Sequence, residues 1–378
     1  MRILVTFGTR PEIIKLAPVI RALRERRGIE LDVLWTGQHV ELAAGLLELF
    51  EIEVNHNSSA IMSEPGLAGK FGLMAQQIEK LIQAGAFEWL LVQGDTATAA
   101  AAASAGFMNK IPVAHVEAGL RTHNLYSPWP EEFNRRVITI ASTLHFAPTA
   151  AAQKNLLNEG ISEGVAPVVG NTVVDALLFA RRKVRNGYTP VNKDLCKLPD
   201  DKKLVLCTLH RRENIGAPLR SILGALAELG RDGDKILVLP VHLNPQVRAE
   251  VLHVLGGAPN VYLLPPLQYL DFVHVLDRAW AVVSDSGGVQ EEAPTFGLQI
   301  LITRDTTERP EVIEHGFGRL VGCDRTAIVN GIRGLTAGRE KQLLAARNPF
   351  GRGDSAEQIA SRLLSHDICT SVDRRIFA

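Results

Sequence analysis

Asp95 and Glu117 each stand close behind a short apolar run, Glu131 follows a proline-rich turn, and Arg10 and Lys15 supply positive charge in the same half of the chain. Any one of these carboxylates reads equally well as a helix cap or as half of an ion pair. Three of them on or near one rim, with cations around them, invite an acid/base reading. A second constellation lies further along, where Asp285-Ser286-Gly287-Gly288-Val289-Gln290-Glu291-Glu292 reads as a strand running into a helix. Gly287 and Gly288 would let backbone N–H groups approach a diphosphate, and a helix start favours its negative charge. Glu292, one turn in, could accept hydrogen bonds from ribose hydroxyls. Taken without its context, the same stretch is a glycine-rich turn chosen for its backbone angles.

What is missing narrows the ligand. No GxGxxG follows the first apolar run, and Gly66 to Lys70 lacks the spacing of a P-loop, so neither a dinucleotide nor an ATP γ-phosphate is signalled. The 11 histidines show no HExxH and no i, i+4 pairing, so no metal site is expected, and His115 beside Glu117 reads as a strand end.

Such residues act together only if a scaffold converges them. Apolar runs recur at Arg2 to Thr6, Leu31 to Trp35, Trp89 to Val92, Val113 to Val116 and Leu144 to Ala147, then at Leu204 to Thr208, Lys235 to Leu239, Val261 to Leu263, Ala281 to Ser284 and Ile300 to Thr303. Each is followed by a helical pattern, the alternation of a parallel sheet covered by helices on both faces. The expected fold class is α/β, with two doubly wound Rossmann-like domains, residues 1–168 and 169–354, joined near Gly170-Asn171-Thr172 and through the polar segment Asn186 to Lys203. Further helices are expected at Asp324 to Leu335, Lys341 to Arg347 and Ser355 to Leu364, with 355–378 packing back on the first domain. Ligands of open parallel sheets bind beyond the carboxyl ends of the strands. The polar groups that follow each run therefore define two rims, expected to face each other across a cleft.

The bulk properties agree with that picture. A chain of 378 residues exceeds one ordinary core, and roughly 150 residues per domain gives two or three units. Apolar residues make up 46% and charged residues 22%, which excludes disorder and low-complexity classes. The 41 basic residues balance the 41 acidic ones, so the net field draws in neither nucleic acid nor an anionic membrane. Uncharged stretches such as Thr96 to Met108 are short, and the N-terminus is charged from Arg2 on, so neither a membrane span nor a signal peptide is expected. Cys196, Cys207, Cys323 and Cys369 show no CxxC spacing, as in a reduced, cytoplasmic compartment.

Ordered motifs then accumulate: Phe7-Gly8-Thr9-Arg10-Pro11-Glu12 with Lys15, Gln93-Gly94-Asp95-Thr96, His115-Val116-Glu117-Ala118-Gly119-Leu120-Arg121-Thr122, Tyr126-Ser127-Pro128-Trp129-Pro130-Glu131-Glu132, Gly170-Asn171-Thr172, His210-Arg211-Arg212-Glu213, Pro240-Val241-His242-Leu243-Asn244-Pro245, Asp285-Ser286-Gly287-Gly288 and Asp305-Thr306-Thr307-Glu308-Arg309-Pro310-Glu311. Over nearly its whole length the chain resembles the non-hydrolysing UDP-N-acetylglucosamine 2-epimerases, bacterial enzymes that interconvert UDP-GlcNAc and UDP-ManNAc. The resemblance implies the two-domain GT-B architecture, an active site between the domains, a homodimer and no cofactor.

It also implies a mechanism. The sugar C2 proton has no carbonyl beside it, so elimination of UDP from C1 must accompany its removal, giving a 2-acetamidoglucal to which UDP adds back after a proton returns to the opposite face. On this resemblance Asp95, Glu117 and Glu131 form the acid/base group, their individual roles unassigned, while His210 with Arg10 and Lys15 favours charge on the departing UDP. Ser286, Gly287, Gly288, Glu292, Arg309 and the backbone near Phe272 would hold UDP. A hydrolysing relative that releases ManNAc and UDP, and a UDP-sugar glycosyltransferase of the same fold, are the alternatives. Many family members bind a second UDP-GlcNAc as an activator, and Gln38, Glu131, Arg211 and His242 match that pattern. Glu41, however, stands where a second glutamine is expected, and Ser63-Glu64-Pro65-Gly66 supplies no arginine. Activation is therefore expected to be weak or absent, since both changes disfavour a second diphosphate.

Overall fold

Ile3, Leu4 and Val5 alternate with no polar residue, and they are completely buried in a sheet flanked on both faces. A computed structural model describes residues 1–37, 40–58, 65–336, 343 and 347–366. The chain divides into two units: Met1–Ala176 with the segment from Phe350 onward, and Leu177–Pro349.

The first unit holds β1 (Arg2–Phe7), β2 (Glu30–Trp35), β3 (His56–Asn57), β4 (Trp89–Gln93), β5 (Val113–Val116) and β6 (Leu144–Phe146), in the order β3-β2-β1-β4-β5-β6. The second holds β7 (Lys203–Thr208), β8 (Lys235–Pro240), β9 (Val261–Leu264), β10 (Ala279–Ser284), β11 (Gln299–Ile302) and β12 (Gly318–Leu320), in the order β12-β11-β10-β7-β8-β9. All these pairings are parallel. Counted from its own first strand, the second order repeats the first, so both units are doubly wound α/β sheets of Rossmann type. The direction in which successive strands are added reverses between β1 and β4 in one and between β7 and β10 in the other. Those two switch points are where such sheets open a crevice for ligands.

Helix Ala97–Met108 explains an odd stretch of sequence. It packs against helices Leu67–Gly85 and Glu131–Ala141, and Ala99 through Ala103 are fully buried. Only small side chains let three layers approach this closely, and a larger residue there would overpack at a cost of roughly 1–3 kcal/mol.

The structure departs from the sequence reading at several edges. Strands β3 and β12 carry only two and three residues, too few for a pattern of their own, and exist by pairing with β2 and β11. The division between units falls between Ala176 and Leu177, inside helix Thr172–Arg185, instead of at 168/169. Gly170 and Asn171 stay with the first unit because the Asn171 amide donates to the Phe350 carbonyl at 2.7 Å, and the Ala356 amide donates to Asp175 Oδ1 at 3.0 Å. The later helix is Arg325–Arg333, its start set by Asp324, which accepts from the Ala327 amide at 2.6 Å. Most of Lys341 to Arg347 lies outside the described residues, as do 367–378 and Cys369. Helix Ser355–Ser365 belongs to the first unit, with Arg26 and Glu357 ion-paired at 2.6 Å. Among the described residues no helix is long and apolar enough to cross a membrane.

Candidate active site

The switch point of the first unit gathers most of its predicted residues. After β1 the chain turns through Gly8 into helix Arg10–Arg24. A side chain at Gly8 would sit 2.6 Å from the hydroxyls of Thr36 and Thr98, which is why the turn requires glycine. Glu12, buried one turn into the helix, accepts from the Gly8 amide at 3.0 Å, the Thr9 hydroxyl at 2.7 Å and the Thr96 hydroxyl at 2.7 Å. Burial pushes its pKa up, opposed by those hydrogen bonds. Glu12 thereby ties the loop bearing Arg10 to the one bearing Asp95. Arg10 itself is exposed.

Glu117 leaves β5 with φ of 67°. A non-glycine residue in that region costs roughly 1–2 kcal/mol, a strain that persists where the surroundings over-determine it. Here they do: Lys15 Nζ lies 2.6 Å from Glu117 Oε1, and Gln93 Nε2 donates to Oε2. Glu117 Oε2 is also 3.9 Å from where a side chain on Gly94 would begin, so it borders the Gly94-Asp95 turn. His115 underlies that turn, its Nε2 2.8 Å from the Gly94 carbonyl, and burial lowers its pKa to about 3.

Helix Glu131–Ala141 completes the rim. Its first residue, Glu131, has a buried Oε2 that meets no hydrogen-bond partner among the described residues. An ionisable oxygen left so is costly unless something occupies the site in use. The same helix reaches Asp95: Arg135 places Nε 2.9 Å and Nη2 2.8 Å from Asp95 Oδ2, and Asn134 donates to the Asp95 carbonyl at 2.8 Å. Glu132, fully buried, steadies Arg135 at 3.1 Å and accepts from the Thr122 and His123 amides. One helix therefore carries one carboxylate and holds another.

In the second unit, Ser286 caps helix Gly287–Glu292, its Oγ receiving the Val289 amide at 3.5 Å. The first-turn amides of Gly287 and Gly288 have no place in the helix's own ladder. A Cβ at Gly287 would lie 2.9 Å from Arg309 Nη1, so glycine here also admits the guanidinium. Arg309 is aimed by buried Glu291 at 2.6 Å, and Gln290 binds the Ser286 carbonyl and the Thr307 hydroxyl. The helix is six residues long, so these amides and Arg309, more than a long macrodipole, would meet an anion. Glu292 is half-buried and near enough to Tyr269 for its charge to help hold the phenol protonated, after burial. The expectation at Phe272 changes in detail: its own amide donates to the Gln268 carbonyl at 2.9 Å inside a helix start, so it is committed.

His210 and Arg211 follow β7, with His210 Nδ1 3.2 Å from Asp285 Oδ1. The His242 ring lies 6.0 Å from that of His210, centroid to centroid, and Arg211 Nε is buried with no hydrogen-bond partner among the described residues. Gln38 lies outside the described residues. Glu12, Gln93, Asp285, Gln290 and Glu291 lie inside the sequence motifs, but the motifs do not show their work, and Arg135 and Asn134 lie outside them. Arg135 and Asn134 carry no signal beyond helical spacing from Glu131.

Carboxylates at one switch point and backbone amides with an aimed arginine at the other, each on a Rossmann-type sheet, fit an enzyme acting on a phosphate-bearing substrate. A family model described as UDP-N-acetylglucosamine 2-epimerase matches residues 21–364. The UDP-N-acetylglucosamine 2-epimerase of Yersinia pestis is 40% identical over 376 residues, covering 97% of this chain and all of the relative. That of Escherichia coli K12 is 40% identical over 374 residues, with the same coverage. The crystal structure of the Neisseria meningitidis enzyme bound to UDP-GlcNAc superposes with a TM-score of 0.88 at 38% identity, covering 97% of this chain and 100% of the other. The chain belongs to the UDP-N-acetylglucosamine 2-epimerase family, a family of isomerases.

Proposed function

We propose that this chain reversibly epimerises UDP-N-acetylglucosamine to UDP-N-acetylmannosamine by eliminating UDP and adding it back across a 2-acetamidoglucal. Asp95, Glu117 and Glu131 exchange the C2 proton on opposite faces, and Lys15 holds Glu117 in place by their ion pair. Arg10 and His210 favour the charge that develops as the C1–O bond breaks. Ser286, Gly287, Gly288 and Arg309 receive the diphosphate, and Glu292 the ribose. The observation that carries this reading is the arrangement on helix Glu131–Ala141, which presents an unpartnered Glu131 oxygen and steadies Asp95 through Arg135 and Asn134.

The working form is a cytoplasmic homodimer. Exposed Phe133 and Ile140 share one face of that helix, Phe107 and Met108 are exposed at the end of its neighbour, and a second copy would cover them. Light scattering at micromolar concentration tests the dimer.

The reaction is tested by NMR in deuterated water with UDP-GlcNAc and no acceptor. UDP-ManNAc bearing deuterium at C2 is expected. Free ManNAc with UDP would mean a hydrolysing enzyme, and no conversion without an acceptor would mean a transferase.

A further inference from the structure

Asp285 is a carboxylate of the second switch point that a ligand could not reach. It is wholly buried at the end of β10, beside β7. Ser284 and Thr208 pair in register with their hydroxyls 2.6 Å apart, and the Asp285 amide donates to the Thr208 carbonyl at 3.2 Å. That pairing sets the carboxylate beneath the turn after β7. Both oxygens are filled: the His210 amide donates to each at 3.1 Å, the Arg211 amide to Oδ2 at 3.0 Å, and Asn214 Nδ2 to Oδ2 at 3.1 Å. His210 Nδ1 is a further neighbour of Oδ1, at 3.2 Å. Burial works to raise the Asp285 pKa, but the hydrogen bond and charge of His210, with the two amides, hold it below the ordinary aspartate value.

We propose that Asp285 is a positioning residue for His210: it holds the imidazole by Nδ1–H and so leaves Nε2 as the edge offered to the diphosphate. This rests on the role proposed above for His210 in the departure of UDP. An ionised carboxylate can only accept, so the ring nitrogen facing it must carry the proton. In the neutral ring that leaves Nε2 a bare acceptor, which a phosphate oxygen repels; in the imidazolium Nε2 carries an N–H that can donate. The other titratable ring facing His210 is that of His242, from the turn after β8, and its Nδ1 accepts from the Asn244 amide at 3.1 Å, the geometry of a neutral ring. Arg211 adjoins in the chain, but its amide is turned to Asp285. The His210 side chain remains 39% exposed while Asp285 keeps 1%, so one is placed to touch a ligand and the other to hold it.

The test uses the full chain labelled with ¹⁵N-histidine and saturated with UDP, which needs no turnover. Wild type should show His210 protonated at Nδ1 at all pH values. Asp285→Asn should let the neutral ring carry its proton on Nε2 in a detectable fraction of molecules, because an amide can donate as well as accept. In the kinetics it should lower kcat about tenfold or more with KM changed less than about threefold. In a His210→Gln background, the added Asp285→Asn should change kcat by less than about twofold, because the two act as a unit. A neutral His210 protonated at Nε2 in the wild type would overturn the proposal even if the Asn variant failed to fold. So would an equal kcat loss from Asp285→Asn in both backgrounds. Conversion of UDP-GlcNAc by the wild type tests the epimerase reading separately, so the two can fail independently.

Discussion

Lys15 Nζ meets Glu117 Oε1 at 2.6 Å across the end of β4, the strand that separates β1 from β5, and the two side chains keep only 12% and 7% of their exposure. The pair therefore clamps together the loops on either side of Asp95. Removing one partner of a buried pair leaves an uncompensated charge, which typically costs roughly 3–5 kcal/mol. Lys15→Met should destabilise on that scale, and adding Glu117→Gln should recover part of the loss; urea melts of the wild type and both variants measure it. A double variant no more stable than Lys15→Met would show that the charges are not coupled in the folded state.

Glu117→Gln, Asp95→Asn and Glu131→Gln should each lower kcat by at least ~10²-fold, the scale of a lost acid or base. The readout is deuterium appearing at C2 of recovered UDP-sugar. Near wild-type exchange in all three would place the chemistry elsewhere.

Arg135→Lys should lower kcat by up to ~10²-fold while the fold survives, because a lysine cannot reproduce the guanidinium fork that grips Asp95 and Glu132 together. Initial rates with UDP-GlcNAc check it, with circular dichroism as the control. Unchanged rates would mean that Asn134 suffices to seat Asp95.

Asp175 sits in the first turn of helix Thr172–Arg185, where burial raises its pKa from 3.8 to about 6 despite the amide of Ala356. The folded state thus holds a proton that the unfolded chain has already released. Its contribution to stability is fully present below pH 3.8 and is lost as pH rises through about 6. Asp175→Asn should accordingly be more stable than wild type at pH 7.5, by ~2 kcal/mol, with the gain vanishing at pH 4. Chemical denaturation at the two pH values decides it, and a gain independent of pH would assign the effect to packing instead.

The activator site is expected to fail in this chain, since Glu41 and Pro65 stand where an amide and an arginine would help a second diphosphate. Initial rates from UDP-ManNAc should show no lag, and a trace of UDP-GlcNAc should not change them. A long lag abolished by the trace would show that another cation, such as Lys70, substitutes.

Much of the fold was legible because parallel strands buried on both faces must be apolar throughout: Ile3 to Val5 and Val205 to Cys207 announce themselves by having no polar alternation. Their polar successors, Asp95, Glu117, His210 and Ser286, were legible for a related reason, since strand ends in such sheets are where the chain can first afford them. Strands β3 and β12 were not, because two or three residues carry no period and exist only through a neighbour. The unit boundary inside helix Thr172–Arg185 was likewise hidden, because the contact that keeps Asn171 with the first unit is made by Phe350, far along the chain.

What only the tertiary structure decided is which residues hold the others. Nothing in the order of residues says that Arg135 reaches back to Asp95, that Gln93 and Lys15 share Glu117, or that the aspartate preceding Ser286 is buried beneath His210. Sequence determined the residue types and the strand ends that bear them, because burial and backbone geometry act locally. The pairings were decided by the 3-2-1-4-5-6 strand order, which brings segments distant in the chain to one edge, and by the cost of leaving buried charge unpaired once they are there.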